Sequence, residues 1–331
     1  MPRPQGSPKN QHYVPRAYLA RWALQGKVFV RWRNGKTFEA NPKNVAAETG
    51  MYDIEGASPV PSGGLDEALT TIDDQGLLAI REVDDTGKPP KPGSDTRAIL
   101  AAFIAVQLSR TPEQRERATY PDRVRAYAGG RSITKDLVAR FLEEEHLRAK
   151  PSEQEVEGAY IFATAGESGA VGSAEAFHLM FLALPEMIAA LDEMTWRIEV
   201  DRKRRLITSD APVILWAKPS KQDALRGIGV RTAEEIRFPL DPGKQLVLSR
   251  RGSATSSRVS GQRARECAID AANACYRFVI GSPAHRAAIS QIRLSPYRPP
   301  LRFNVGSAVR VNPDGSREEM GDILHVWVPG R

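Results

Sequence analysis

Cysteine is almost absent from this chain. The 331 residues hold two, Cys267 and Cys275, too few for a disulfide framework. They stand in a helical pattern and are expected as two reduced thiols on a core-facing surface. Histidine is scarce as well: His12, His146, His178, His285 and His325 are the five, and they are scattered. That spacing excludes a His-Glu-x-x-His zinc site or a Cys/His cluster, so only a mixed carboxylate site could hold a metal. Long apolar runs are missing too. Ala98–Val106, among the greasiest segments, falls far short of the ~18–20 residues that span a bilayer, so no membrane partner is expected. Met1–Gln11 is proline-rich and polar and lacks the apolar core of a signal peptide; the cytoplasm is the default location. There is no Walker-type phosphate loop and no Gly-x-Ser-x-Gly, and Gly227-Ile228-Gly229 lacks the spacing and setting of a dinucleotide site.

What is present is an ordinary proportion of apolar (41%) and charged (26%) residues in a chain long enough for one large domain or two. The net charge of +7 is strongly blocked: residues 1–50 carry +7, 51–95 carry −7, 96–150 carry +4, 151–201 carry −9 and 202–331 carry +12. Acidic helices packed beside basic ones would explain this blandly. Alternatively, the basic ends form a surface that attracts a polyanion.

Pattern along the chain switches once. Pro15 suits the first turn of a helix, with Tyr18, Leu19 and Trp22 at helical spacing behind it. Lys27–Trp32 and Thr37–Glu39 flank Asn34-Gly35, which predicts a hairpin with a type I′ turn. Val45–Tyr52 reads as a short helix and Ser58–Gly64 as a loop. Helices are expected over 65–83, from a cap at Ser94 or Asp95, again after Thr111-Pro112, over 132–148, and over 173–194 with a kink near Pro185. His146 is expected on a solvated helix face. From Thr195 the period becomes that of strands: 195–200, 206–208, 213–216, 236–240 and 245–248, the last two split by an Asp241-Pro242-Gly243 turn. A helix from about Gly261 to Cys275 leads into a strand at 277–280. The tail from Pro296 reads as loose, with a last edge strand at 325–328.

The opening segment Gln11-His12-Tyr13-Val14-Pro15 is a dense packet of polar chemistry. Taken with Tyr18-Leu19, Ala47-Glu48, Met51-Tyr52, Gln107-Leu108-Ser109-Arg110-Thr111-Pro112, Leu206–Pro212, Phe238–Pro242, Asn273 and Tyr276–Val279, it resembles a bacterial family catalogued as domain of unknown function 4238. The resemblance covers roughly residues 10–282. It implies no reaction, because the family has none established. The family pattern often carries an asparagine after Ser-Asp, where this chain has Ala211.

The matched segments lie at element boundaries, where function tends to collect. If the fold gathers them, His12 supplies a proton carrier, Arg110 a planar fork for phosphate or carboxylate, and Asp210 a carboxylate. Tyr13, Arg16, Gln107, Ser209 and Asn273 are candidate binding residues. A divalent metal is allowed, with Glu48 and Asp210 as its carboxylates. Each residue has a plain alternative. His12 could cap its helix, Arg110 could bond closing carbonyls, and Ser209-Asp210 is a good turn sequence in itself. Glu48 could form a local ion pair, and Tyr13, Trp22 and Tyr52 could simply pack.

The expected fold is α+β: a central helical block (65–194) packed with an antiparallel sheet built from an amino-terminal hairpin unit (10–60) and carboxy-terminal strands (195–295). These together form a single domain over 1–295, followed by a Pro/Arg-rich tail over 296–331. The leading functional expectation is a phosphodiester-cleaving, nuclease-like defence or toxin effector using His12, Arg110 and Asp210. The alternative is a non-catalytic module that binds or senses nucleic acid or a small ligand, with the same residues structural. Sequence-independent nucleic-acid binding is a third reading, marked by steep salt dependence.

Overall fold

The computed structural model describes residues 10–49, 62–145, 150–164, 184–218, 228–297, 304–311 and 317–325. Tyr52, His146, His178, Gly227 and the stretches 58–61, 165–183 and 326–328 lie outside the described residues.

The chain starts on a short strand, β1 (Gln11–His12), then α1 (Arg16–Leu19) and a 3-10 turn over Ala20–Trp22. Tyr18, Leu19 and Trp22 are all buried, and they pin this end to the strands that come later. The Tyr18 ring stacks on Phe238 at 5.2 Å and its hydroxyl donates to the Pro239 carbonyl at 2.6 Å. Trp22 Nε1 donates to the Leu206 carbonyl at 3.2 Å. The expected hairpin follows as β2 (Val28–Trp32) and β3 (Thr37–Ala40). Its turn is not type I′. Gly35 alone has a positive φ, +85°, and Trp32 N–H meets the Lys36 carbonyl across a three-residue loop. That is the geometry of a type I turn closed by a left-handed glycine. Where the pattern points to a helix over 45–52, Val45 is extended and Ala46 takes a φ of +54°. β4 (Ala47–Glu48) then pairs antiparallel with β1, Gln11 opposite Glu48 and His12 opposite Ala47. A strand partner thus overrides local helix propensity.

The helical block contains α2 (Ser62–Thr86), α3 (Asp95–Ser109), α4 (Pro112–Ala128), α5 (Lys135–Glu144), α6 (Glu153–Thr164) and α7 (Leu184–Asp192). Helix α2 begins inside the stretch expected as a loop. Gly76, a weak point in its helical pattern, sits where a Cβ would lie 2.4 Å from Phe103, so glycine lets α2 and α3 approach. Ser94, one of the two caps expected for α3, accepts from Arg97 N, and Thr111 caps α4 by accepting from Gln114 N, at 3.3 Å each. The block divides between two cores. α2, α3 and α7 pack into the main one, with the amino-terminal aromatics and both large sheets. α4, α5 and α6 close over their own cluster of Tyr120, Phe141, Phe162 and neighbours.

The strands are β5 (Thr195–Val200), β6 (Thr208–Ser209), β7 (Ile214–Trp216), β8 (Glu235–Asp241), β9 (Lys244–Ser249) and β10 (Ser257–Arg258). After them come α8 (Gly261–Ala274), β11 (Phe278–Gly281), α9 (Arg286–Ser290), and a ribbon of β12 (Asn304–Val311) with β13 (Arg317–His325). That ribbon lies where the pattern reads as a loose tail. The hairpin does join carboxy-terminal strands, in the order β3-β2-β11-β6, but the rest form a second sheet, β10-β5-β9-β8-β7. One sheet cannot continue through both: β6 is two residues long and is followed by the Asp210 turn and Pro212, which has no N–H to donate. The α+β class stands, with two large sheets and two separate ribbons among the described residues where one antiparallel sheet was expected, and with β10 pairing parallel to β5. The two cysteines are buried and free.

Candidate functional site

The β1/β4 ribbon sets His12 beside a 3-10 turn at Pro42–Asn44, itself capped by Asn41 Oδ1 accepting from Lys43 N at 3.0 Å. The imidazole is half-buried and hydrogen-bonds main-chain groups of Lys43 and Pro42. Burial lowers its pKa, and Arg16 and Arg110 push it further down, against the two main-chain bonds. The ring is therefore neutral at neutral pH.

Arg110 terminates α3 and its side chain is almost wholly buried. Its guanidinium forms a two-pronged pair with Asp73 of α2, Nη1 to Oδ2 at 3.0 Å and Nη2 to Oδ1 at 2.5 Å. With the Gln107 amide oxygen turned toward it, Nε donates to that oxygen at 3.1 Å. Burial raises the Asp73 pKa, opposed by Arg110, and His12 also acts on this carboxyl. His12, Arg110, Gln107 and Asp73 thus form one cluster at the α2/α3 junction. Its fork-to-carboxylate pair joins the two helices.

Asp210 belongs to a different cluster. It is fully buried. Its Oδ1 accepts from Tyr276 N at 2.8 Å and its Oδ2 from Arg277 N at 2.6 Å. Burial pushes its carboxyl up to about 7, against the hydrogen bond from Arg277 and the charges of Arg277 and Arg33. Ser209 Oγ closes the turn beneath it, donating to the Ala211 carbonyl at 2.8 Å and accepting from Ala211 N at 3.1 Å.

Between α4, the β1/β4 ribbon and the start of β11 opens a cleft of about 240 Å³, lined by Glu48, Pro112, Arg115, Glu116, Thr119, Arg123 and Arg277. Pro112, Arg115, Glu116, Thr119 and Arg123 recur every three or four residues, one face of α4. Across from them Arg277 pairs with Glu48. Arg115 lies 4.0 Å from the same carboxylate, and Arg123 reaches Glu116 at 2.8 Å and Glu145 at 3.7 Å. The Tyr276 hydroxyl meets Glu116. Tyr13 is buried within electrostatic reach of Arg277.

The matched segments therefore converge, though not as a His12/Arg110/Asp210 triad. His12, Gln107 and Arg110 gather around Asp73, whereas Asp210 and Ser209 lie inside, under Tyr276 and Arg277. Glu48 and Arg277 line the cleft. Arg16 and Asn273 are exposed. As for a metal, Glu48 is paired with Arg277, and both Asp210 oxygens meet amides. Among the described residues, no group of three or more His, Cys, Asp or Glu could hold an ion. Nor is any helix of the described residues long and apolar enough to cross a membrane.

Sequence reasoning missed Asp73, Arg115, Glu116 and Arg123, and gave Arg277 no role. For the α4 residues the signal was position: a charged face starting directly after the matched Thr111-Pro112.

No curated protein and no solved structure matches the chain. A family model does match, over residues 10–285, and it contains every segment that builds the two polar clusters and the cleft. The chain belongs to that family, described as protein of unknown function DUF4238.

Proposed function

We propose that the protein binds a compact phosphate-bearing ligand in the Arg115/Arg123/Arg277 cleft, as a non-catalytic binding or sensing module. One observation carries this reading. Three arginines from two separate elements meet around one walled space, with side chains 22–32% exposed. A guanidinium presents a planar fork that matches a phosphate's oxygens. At about 240 Å³ the cleft is smaller than the ~300–1,000 Å³ of pockets for drug-sized ligands. It suits a mononucleotide or the phosphorylated end of a strand. A continuous track along a duplex fits less well, because Glu48, Glu116 and Glu145 alternate with the arginines.

Cleavage by His12, Arg110 and Asp210 has less support. The charges of Arg110 and Asp210 are engaged inside the protein, and Glu48 and Glu116 have their carboxylates against arginines.

Calorimetric titration with inorganic phosphate, pyrophosphate, nucleoside 5′-monophosphates and a 5′-phosphorylated oligonucleotide, alongside its unphosphorylated twin, tests the reading and separates the two ligand sources. Saturable binding by at least one phosphorylated probe is expected, about ten- to a hundredfold weaker in Arg123→Gln, the loss of a charge-assisted hydrogen bond. Shortened oligonucleotide after incubation with Mg²⁺ or Mn²⁺, or affinity untouched by Arg123→Gln, would overturn it.

A further inference from the structure

The segment Cys275-Tyr276-Arg277 runs from the end of α8 to β11 and is held from both sides by buried charges. Arg33 holds its carbonyls: Nε donates to Tyr276 O at 3.0 Å, and Nη2 donates to Cys275 O and, at 3.2 Å, to Ala272 O. Asp210 holds its amides, one carboxylate oxygen on each of two consecutive N–H groups. The two residues so held then diverge. Tyr276 reaches Glu116 on the α4 wall of the cleft, and Arg277 reaches Glu48 on the β4 wall.

From this arrangement we infer that Asp210 is the positioning residue of the cleft: its carboxylate fixes the Tyr276–Arg277 segment so that Arg277 faces the space a phosphate enters. The inference rests on the binding reading of the cleft only for its ligand. The geometry needs both oxygens. Asparagine has the same shape but offers one acceptor and turns an NH₂ toward a main-chain N–H, so one of the two amides loses its partner. Arg277 would then keep its charge and lose its aim. A purely structural Asp210 would lower stability without singling out Arg277.

The test is the Asp210→Asn variant of the full chain, read in two ways. Without ligand, the guanidinium NMR signals of Arg277, distinct in the wild type through their pairing with Glu48, should move toward those of a solvated arginine. Those of Arg21, paired with Asp84 at 2.7 Å, should stay. With pyrophosphate as probe, affinity should fall about tenfold. That loss should be non-additive with Arg277→Gln and additive with Arg123→Gln, the signature of coupling confined to one pair. Unmoved Arg277 signals in a folded variant, or additivity with Arg277→Gln, would overturn the positioning role and leave ligand binding standing. Displaced signals in a protein that binds no phosphorylated probe would do the reverse. If Asp210→Asn does not fold, Ser209→Ala replaces it. Removing the hydroxyl that closes the turn should shift the same Arg277 signals by a smaller amount, and no shift there overturns the inference.

Discussion

Two regions of this molecule are built from the same pair of side chains, arginine and carboxylate, and differ in how completely the pairs close. Beneath α8, on the charged face of the five-stranded sheet, Arg263 meets both oxygens of Glu199 at 3.1 Å and Glu235 at 2.9 Å. Arg197 bridges the same two carboxylates at 3.0 and 2.6 Å. Arg237, stacked over Trp216, joins Glu235 to Asp270 of α8, and Gln245 donates to Glu199 at 2.6 Å. Around the cleft Arg123 pairs with Glu116 at 2.8 Å but Arg115 stands 4.0 Å from Glu48, and these two side chains are 30–32% exposed against 1–22% for the three arginines under α8. Strand alternation explains the first region: Trp196, Ile198, Ile236 and Phe238 face the main core, so Arg197, Glu199, Glu235 and Arg237 must face the other way. A closed, charge-matched network fastens a helix to a sheet. An open one keeps donors in reach of an incoming anion.

Breaking the closed network should have the largest effect. Glu199→Ala leaves Arg263, Arg197 and the Gln245 amide facing a void, and removing one partner of a buried ion pair costs about 3–5 kcal/mol. Urea unfolding should show that loss, while phosphate affinity at the distant cleft stays within twofold. A large drop in affinity would mean that the two regions are one unit.

Acid should find the same region next. Burial works to raise the Glu235 pKa, but Arg237, Arg263 and Arg197 hold it down to about 2 from 4.5. A depressed carboxyl stabilises the fold above its unfolded pKa, and that share is lost as pH falls through the folded value. For Glu235 the window runs from about 4.5 to about 2 and carries roughly 3 kcal/mol. Unfolding free energy measured between pH 5 and 3 should therefore decline steeply, and less so in Glu235→Gln. Asp210 runs the opposite way. Its pKa is raised to about 7 from 3.8, so its share is full below about 3.8 and is lost as pH climbs through 7.

How much of this was legible in the sequence follows from which interactions are local. The caps at Ser94 and Thr111, the hairpin and the alternation of β5, β8 and β9 depend on neighbours in the chain, and the residue pattern carried them. The ribbon at Ala47–Glu48 depends on β1, whose Gln11 and His12 stand opposite Glu48 and Ala47 from far earlier in the chain, and a helix was expected instead. The division of the strands between two large sheets was hidden because β6, where the four-stranded sheet ends, is two residues long and carries no periodicity. At the site, the matched segments come close in the fold, but Arg110 pairs with Asp73 while Asp210 lies under Tyr276 and Arg277. A buried Arg110 and an exposed one read alike until Asp73 is seen beside it.

Opening the comparison from the cleft side should change binding and leave the fold almost untouched. Arg115 sits 4.0 Å from Glu48 with 30% of its side chain exposed, and pairs of that kind are worth ~0–1 kcal/mol to stability. Arg115→Gln should leave the unfolding midpoint in urea nearly unchanged and weaken pyrophosphate several-fold in the same preparation. An equal loss of both would place the cleft with the closed network, as scaffold.

The smallest effect is expected at His12, where the comparison is sharpest because cleavage and scaffold readings part there. Burial, Arg16 and Arg110 hold its pKa below 6.5. The neutral ring therefore adds stability that is present above about 6.5 and is lost as pH falls through the lower, folded-state value. His12→Gln keeps a side-chain donor near Pro42 and Lys43 and cannot take up a proton. Between pH 7.5 and 5 its unfolding free energy should fall less than that of the wild type, with phosphate affinity at pH 7.5 preserved. If a ligand-dependent turnover exists and vanishes in this variant at unchanged affinity, His12 is a proton carrier after all, and the cluster around Asp73 is the reacting centre.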